Sequence, residues 1–365
     1  MTPFFGAIFM LGLPSLMAAA ANFTQVFEWP YVLDYEWPSE ARRAQALEDG
    51  TFNPAKIHPR YMAVYGTRLF LTLYKEDGVP ATLVSLQTSS ESSEPPKLTP
   101  FPSWDMHLNG SGNCNKIQGA QGLEVDSVGR LWVLDQESSN SNCSPKLWIY
   151  NLNNNETELI HPFSFHDHFL HDLVIDETAN NETFAYIALW LRKHIVVFSL
   201  ERNQSWIVDM IEVKVNSIAL SPKKDQEPRQ LYLGRSGFKE LYSIPVAELH
   251  NGTTTAEPEL IANWTAYNSY RMLMDNHGTL YSGFMYENFT STWNTSQPFM
   301  EQPFHQVAGL RSSWPLTFAL DQNGTFWMAA FNNVRIPKFR LLKAPVGAKS
   351  YIYEVSPQNH ESDTA

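Results

Sequence analysis

Hydrophobic and polar positions alternate in short runs along most of the chain, and one such run returns six times. In the clearest copy, LEVDSVGRLWVLD over residues 123–135, Leu123 and Val125 alternate with polar neighbours. Asp126 to Gly129 then reads as a turn, and Leu131, Trp132, Val133 and Leu134 form an apolar run. Period-two alternation puts one face of a strand in a core, and Asp and Gly build the reversal, so the stretch predicts two antiparallel strands.

The other copies are MAVYGTRLFLTL from Met62, DLVIDETANNETFAYIALW from Asp172, SIALSPKKDQEPRQLYLG from Ser217, MLMDNHGTLYSGF from Met272 and LTFALDQNGTFWMAAF from Leu316. Their aromatic anchors, Phe70, Trp132, Tyr186, Tyr232, Tyr281 and Trp327, recur at intervals of 62, 54, 46, 49 and 46 residues. That is the period of a four-stranded propeller blade. A third strand follows most anchors: ATLVSL from Ala81, KLWIYNL from Lys146, HIVVFSL from His194, ELYSIPV from Glu240 and FRLLKAP from Phe339. The pattern predicts an all-β chain, a six-bladed β-propeller preceded by a short segment with one helix. A pair of β-sandwiches also has closely spaced strands, but would not return one motif six times in register.

Residues 1–21 are apolar, end in small residues and contain Pro14, which reads as a secretory signal peptide lacking a basic start rather than as a membrane span. The expected mature protein is secreted and extracellular, with one propeller domain over 22–355 and a disordered tail over 356–365. Eleven N-x-S/T sequons fit that compartment: Asn22, Asn109, Asn142, Asn155, Asn181, Asn203, Asn251, Asn263, Asn288, Asn294 and Asn323. The two cysteines, Cys114 and Cys143, pair most economically as one disulfide beside blade two.

Composition bounds the partners. With 43% hydrophobic and 13% aromatic residues the chain can build a large core, and its net charge of -12 argues against nucleic acid. No nucleophile elbow, zincin helix, phosphate loop or dinucleotide fingerprint is present, and no cofactor is expected. A monomer without membrane contact is the expectation.

Ahead of the first blade, Ser39 can cap a helix that runs through Asp49 and stops at Gly50. This segment carries Trp29, the Trp37-Pro38-Ser39 step, Ala46, Gly50 and Asn53-Pro54, which resemble the amino-terminal signature of the arthropod yellow and major royal jelly protein family. The resemblance continues in GRLWVLD from Gly129, CSPKLWIYNL from Cys143, FAYIALW from Phe184, SWIV from Ser205, ALSP from Ala219, LYSIPV from Leu241 and NNVRIPKF from Asn332. It implies a secreted, usually glycosylated six-bladed propeller with a small-ligand pocket at one end of its channel. Relatives include amine-binding salivary proteins, pigmentation factors, dopachrome-converting activities and nutritive proteins, and the fold does not choose among them.

The chain departs from the family pattern at four places. Ser127 and the region of Ala179, Asn180 and Asn181 lack cysteines that the family commonly carries, as though one disulfide were missing. Leu189 replaces an aspartate, and Thr292 a cysteine.

Residues entering each first strand should ring the channel mouth. One set is Tyr61, Gly122, Asp172, Ser217, Arg271 and Thr317, and the set one residue earlier is Arg60, Gln121, His171, Asn216, Tyr270 and Leu316. Strand alternation predicts that one set faces the channel and the other the packing between sheets. By the resemblance, Thr317 matches a pocket threonine of the amine-binding relatives, and Asn332 or Asn333 with Phe331 falls at their pocket asparagine and aromatic. A hydroxyl and an amide can orient a biogenic amine or catechol while a ring stacks on it. Asp172 could hold a ligand ammonium or bridge to Arg271 instead. Bulky Tyr61 and Tyr270 at the mouth would speak for a structural, developmental or nutritive role without a ligand.

Two other chemistries are weighed on the same residues. His166, His168 and His171 suggest a metal site by spacing, but no family motif supports one, and the ring offers too few oxygen ligands for the calcium of propeller lactonases. If the chain converts dopachrome, His171 and Asp172 are the proton-transfer candidates.

Overall fold

The computed structural model describes residues 21–89, 94–107, 113–136, 143–165, 169–178, 182–224, 227–310, 316–332, 336 and 338–354. The expected signal sequence and tail lie outside them, apart from Ala21 at the one boundary, as do His166, His168, Asn333, Asn109, Asn142 and Asn181.

Six antiparallel sheets stand around one axis, each with its first strand innermost. The six inner strands are Pro59–Tyr65, Ala120–Val125, Leu170–Glu177, Val215–Leu220, Ser269–Met274 and Thr317–Leu320. The expected six-bladed propeller is therefore the observed fold. Blade three gains a short fifth strand, Thr255–Ala256, lying parallel to its outer edge. The ring closes through a strand the six-fold pattern does not announce: Thr24–Trp29 pairs with Phe339–Pro345 and completes blade six from the opposite end of the chain.

The recurring motif has a physical cause. The turn aspartate of blade two, Asp126, is wholly buried and accepts hydrogen bonds from Arg130 N and from Trp132 Nε1 at the start of the next strand. Asp321 does the same for Thr325 N and Trp327 Nε1, and Asp275 for Thr279 N and the Tyr281 hydroxyl. Asp176 accepts from Tyr186 across a longer turn. One carboxylate thus satisfies the backbone of its turn and the polar end of the aromatic anchor, which can then be buried. Gly129 sits in the same turn at φ +85°, a conformation that L side chains rarely adopt.

The predicted helix forms as Glu40–Glu48, with the Ser39 side chain accepting from Arg42 N and Gly50 following at φ +75°. Cys114 and Cys143 are joined by a disulfide. At Ser127, where the resemblance leads one to expect a cysteine, both the backbone N–H and the hydroxyl donate to Glu177 Oε1, at 3.0 and 2.8 Å. Blades two and three therefore keep a polar tie at that seam.

Candidate functional site

The inner strands do not keep simple alternation where they enter the axis. The pairing register slips between Pro59 and Tyr61, Ala120 and Leu123, Leu170 and Leu173, Val215 and Ser217, and Ser269 and Arg271. These are β-bulges at one height in five consecutive blades, and a bulge lets neighbouring residues share a face. The expectation that only one of the two sets faces the channel is corrected accordingly, since both contribute.

The result is a polar cluster filling the axis. Arg60 donates through Nε and Nη2 to the Tyr270 hydroxyl, at 3.0 and 2.7 Å, and through Nη1 to Gln121 Oε1. The Tyr61 hydroxyl pairs with His171 Nδ1 at 2.6 Å. Arg271 Nη1 donates to Asp172 Oδ1, while Nη2 stands 4.0 Å from Glu124 and the guanidinium lies over the Tyr61 ring. Close packing is built into the strand: a Cβ on Gly122 would lie 2.4 Å from the His171 carbonyl oxygen.

Of the residues expected at the site, the structure brings together Tyr61, His171, Asp172 and Arg271. Thr317 is buried at the head of the inner strand of blade six, which packs between those of blades five and one. Asn332 is buried at the end of the next strand, its backbone N–H donating to the Lys338 carbonyl. Phe331 is not part of the axial cluster in the contacts described. It meets His58 edge-on and lines a separate cleft of 330 Å³ with Tyr31, Val32 and Ile57. Ser217 serves the seam between blades four and five, donating to the Ser269 carbonyl.

Burial sets the charges. Desolvation raises Asp172 to about 6 against the pull of Arg271, and raises Glu124 to about 7 in the same way. His171 is held well below its ordinary value by burial and then by the Arg60 and Arg271 guanidiniums, so it is a neutral imidazole. As a catalytic pair His171 and Asp172 are poorly placed, because both are fully buried and each is already engaged, by Tyr61 and Arg271 respectively.

Several buried polar atoms have no partner at hydrogen-bonding geometry among the described residues: Thr317 Oγ1, Asn216 Oδ1, Arg271 Nε and His171 Nε2, the last with the Asn216 backbone as its polar neighbour. Among the described residues no group of three or more His, Cys, Asp or Glu side chains is arranged to hold a metal ion.

The two ends of the axis differ. At the bottom, where first and second strands turn, Tyr351 from the C-terminal segment is buried and its hydroxyl bonds both the N–H and the carbonyl of Ile175. At the top, Arg60 lies 5.4 Å from the Tyr74 ring, which is 36% exposed, and half-buried Trp190 lies 5.9 Å from His171. On that side the cluster borders partly exposed aromatic rings, while toward the bottom Glu124 is itself 18% exposed. Sequence reasoning named Arg60, Gln121 and Tyr270 only as the alternative set, because bulges leave no mark in the hydrophobic pattern. Tyr351 at the bottom carried no sequence signal.

Comparison with known proteins agrees with this architecture. The family model described as major royal jelly protein matches residues 118–217, which hold blade two and most of blade three. Protein yellow of Drosophila guanche is 25% identical over 367 residues, covering 88% of this chain and 63% of that protein. Protein yellow of Drosophila melanogaster is also 25% identical, over 88% of this chain and 66% of its own length. The chain thus spans a little under two thirds of the relatives it matches. Among solved structures, a luciferin-regenerating enzyme superposes with TM-score 0.50 at 10% identity, covering 85% of this chain and 98% of that one. The PQQ-bound aldose sugar dehydrogenase of Streptomyces coelicolor gives TM-score 0.50 at 12% identity, covering 88% and 97%. At such identity these two speak for the fold alone.

Proposed function

From its standing as a divergent member of the yellow and major royal jelly protein family, we propose that the chain is a secreted propeller holding one small aromatic ligand at the top of its axis. The observation that carries this reading is the set of buried polar atoms left without a partner around the axis. Each such atom costs about 1–3 kcal/mol when nothing completes it, and a polar guest or ordered water at the axis would supply the missing partners.

The ring of that guest would meet aromatic surface at Tyr74 and Trp190, and its polar substituents the Thr317 hydroxyl and neighbouring groups. Compared with the expectation of an amine held by Asp172, the reading shifts toward a ring whose substituents are oxygens, such as a catechol. Asp172 is fully buried and already pairs with Arg271, with Leu173 N and Ile218 N as its other donors, which speaks against its serving as counter-ion to a ligand ammonium.

The test is calorimetric titration of the mature protein with catechol, dopamine, serotonin, octopamine and indole-2-carboxylate. Saturable one-to-one heat with any ring ligand, weakened at least tenfold in Thr317→Ala, is the expected result. Absence of binding by all of them would overturn the reading and leave a structural or nutritive role.

A further inference from the structure

Arg60 is 8% exposed, yet no carboxylate among the described residues pairs with it. Its partners are the hydroxyl of Tyr270 and the amide oxygen of Gln121, both formally neutral, and the nearby Tyr61 and Tyr74 add phenols rather than acids. A guanidinium has five N–H donors, and the three hydrogen bonds here leave two of them open. The contrast with Arg271 is sharp. That residue, on the lower side of the same cluster, has Asp172 in contact and Glu124 at 4.0 Å.

A buried cation without a counter-ion is costly unless something supplies the missing charge, and a guanidinium with free N–H groups matches the paired oxygens of an oxyanion. Arg60 also lies beside Tyr74, whose side chain reaches solvent at the top. We propose that Arg60 anchors an anionic group, a carboxylate in the first instance, on the ligand that occupies the top of the axis. The ligand class is then a small aromatic acid rather than an aromatic amine. The proposal rests on the small-ligand reading above and specifies its charge.

The nearest neighbour of Arg60 supplies a clean test. Gln121→Glu is nearly isosteric and places a carboxylate against the guanidinium, so it fills the anion's role while keeping the fold. Wild type, Gln121→Glu and Arg60→Gln are titrated calorimetrically with indole-2-carboxylate, with tryptamine and with inorganic phosphate, and each protein's melting temperature is recorded. The expected result is one-to-one binding of indole-2-carboxylate to wild type and no saturation by tryptamine. Affinity should fall at least tenfold in Gln121→Glu with a melting temperature at or above that of wild type. Arg60→Gln should lose binding as well, and if it does not fold, Gln121→Glu alone decides.

Indole-2-carboxylate binding that survives Gln121→Glu would overturn the anchor. So would saturable tryptamine binding with the acid silent, although the small-ligand reading would then stand. Silence of every ring ligand sinks that reading itself. Phosphate binding that Gln121→Glu abolishes would, in that case, still support the anchor for a ligand without a ring.

Discussion

Arg271 of blade five and Asp172 of blade three meet across the axis as a buried ion pair, exposed by only 2% and 0% of their side chains. A strand residue expected to face a ligand is thereby turned into a tie between blades that are not neighbours. Asp172→Asn leaves the guanidinium without its partner, and breaking such a pair costs roughly 3–5 kcal/mol. Glu124 at 4.0 Å remains as a second carboxylate, which puts the expectation at the lower end of that range. Urea denaturation measures it, and the double change Asp172→Leu with Arg271→Met should cost less than the single one.

Glu124 gives the axis a pH dependence of known sign. Burial lifts its pKa from 4.5 to about 7, so its contribution to stability is fully present below about 4.5 and is lost as the pH rises through about 7. Several buried histidines, including His107 lowered to about 4, push the opposite way, so the wild-type profile alone does not isolate it. The difference between Glu124→Gln and wild type does. The variant should gain about 1–3 kcal/mol relative to wild type at pH 8, and that advantage should shrink toward pH 5. A relative melting temperature that does not change with pH would contradict the assignment.

Gly122 packs the inner strand of blade two directly against the backbone of the inner strand of blade three. With the His171 carbonyl oxygen 2.4 Å from the place of a Cβ, Gly122→Ala must push backbone against backbone. Overpacking of this kind costs about 1–3 kcal/mol or more. Because His171 and Asp172 follow the displaced carbonyl, ligand titration should report weaker binding alongside the lower melting temperature.

The fold was legible in the sequence because its cause is local. In three blades a turn Asp and the aromatic six residues later, as in Asp126 with Trp132 and Asp321 with Trp327, repeat one hydrogen-bonding solution, and repetition survives in a string of letters. The helix was legible for the same reason, through Ser39 and Gly50. The site was legible only as a list of residues near the axis. Which of them meet depends on bulges at Arg60, His171 and Tyr270 and on partners 61 to 210 residues apart, and neither leaves a period to read. Closure by Thr24–Trp29 was hidden likewise, since pairing with Phe339–Pro345 joins the two ends of the chain.

Blade six offers a test of the turn aspartate where the ring is closed. Asp321 is buried and accepts from Asn323 N, Thr325 N and Trp327 Nε1 at 2.8, 2.9 and 2.9 Å. Asp321→Ala strands three donors at once, and the expected loss is about 3 kcal/mol or more. Hydrogen exchange should show it first in Thr24–Trp29, the strand that reaches its sheet from the other end of the chain. Asp321→Asn, which keeps an acceptor oxygen, should retain part of the stability.

The sequons give the two faces different surfaces. Asn155, Asn203, Asn251 and Asn294 lie in or at the connections between third and fourth strands of blades two, three, four and five, and Asn323 in the first turn of blade six. All five are exposed, and all point to the bottom, because a third strand runs from top to bottom as the first does. On the top, among the described residues, Asn263 is exposed and Asn288 half-buried. A glycan needs solvent room at its asparagine, and Asn155, Asn203 and Asn251 also take positive φ, which asparagine tolerates in tight turns. Peptide mapping by mass spectrometry of protein secreted from insect cells should therefore find glycan at these five sites, at exposed Asn22 just ahead of the bottom end of Thr24–Trp29, and at Asn263, with Asn288 occupied least. Such a collar would keep macromolecules off the bottom face and leave the top, where Arg60 approaches the surface, as the open approach to the axis. Bare bottom sites, or a fully occupied Asn288, would remove that asymmetry and with it the reason to look for the ligand's path on one face only.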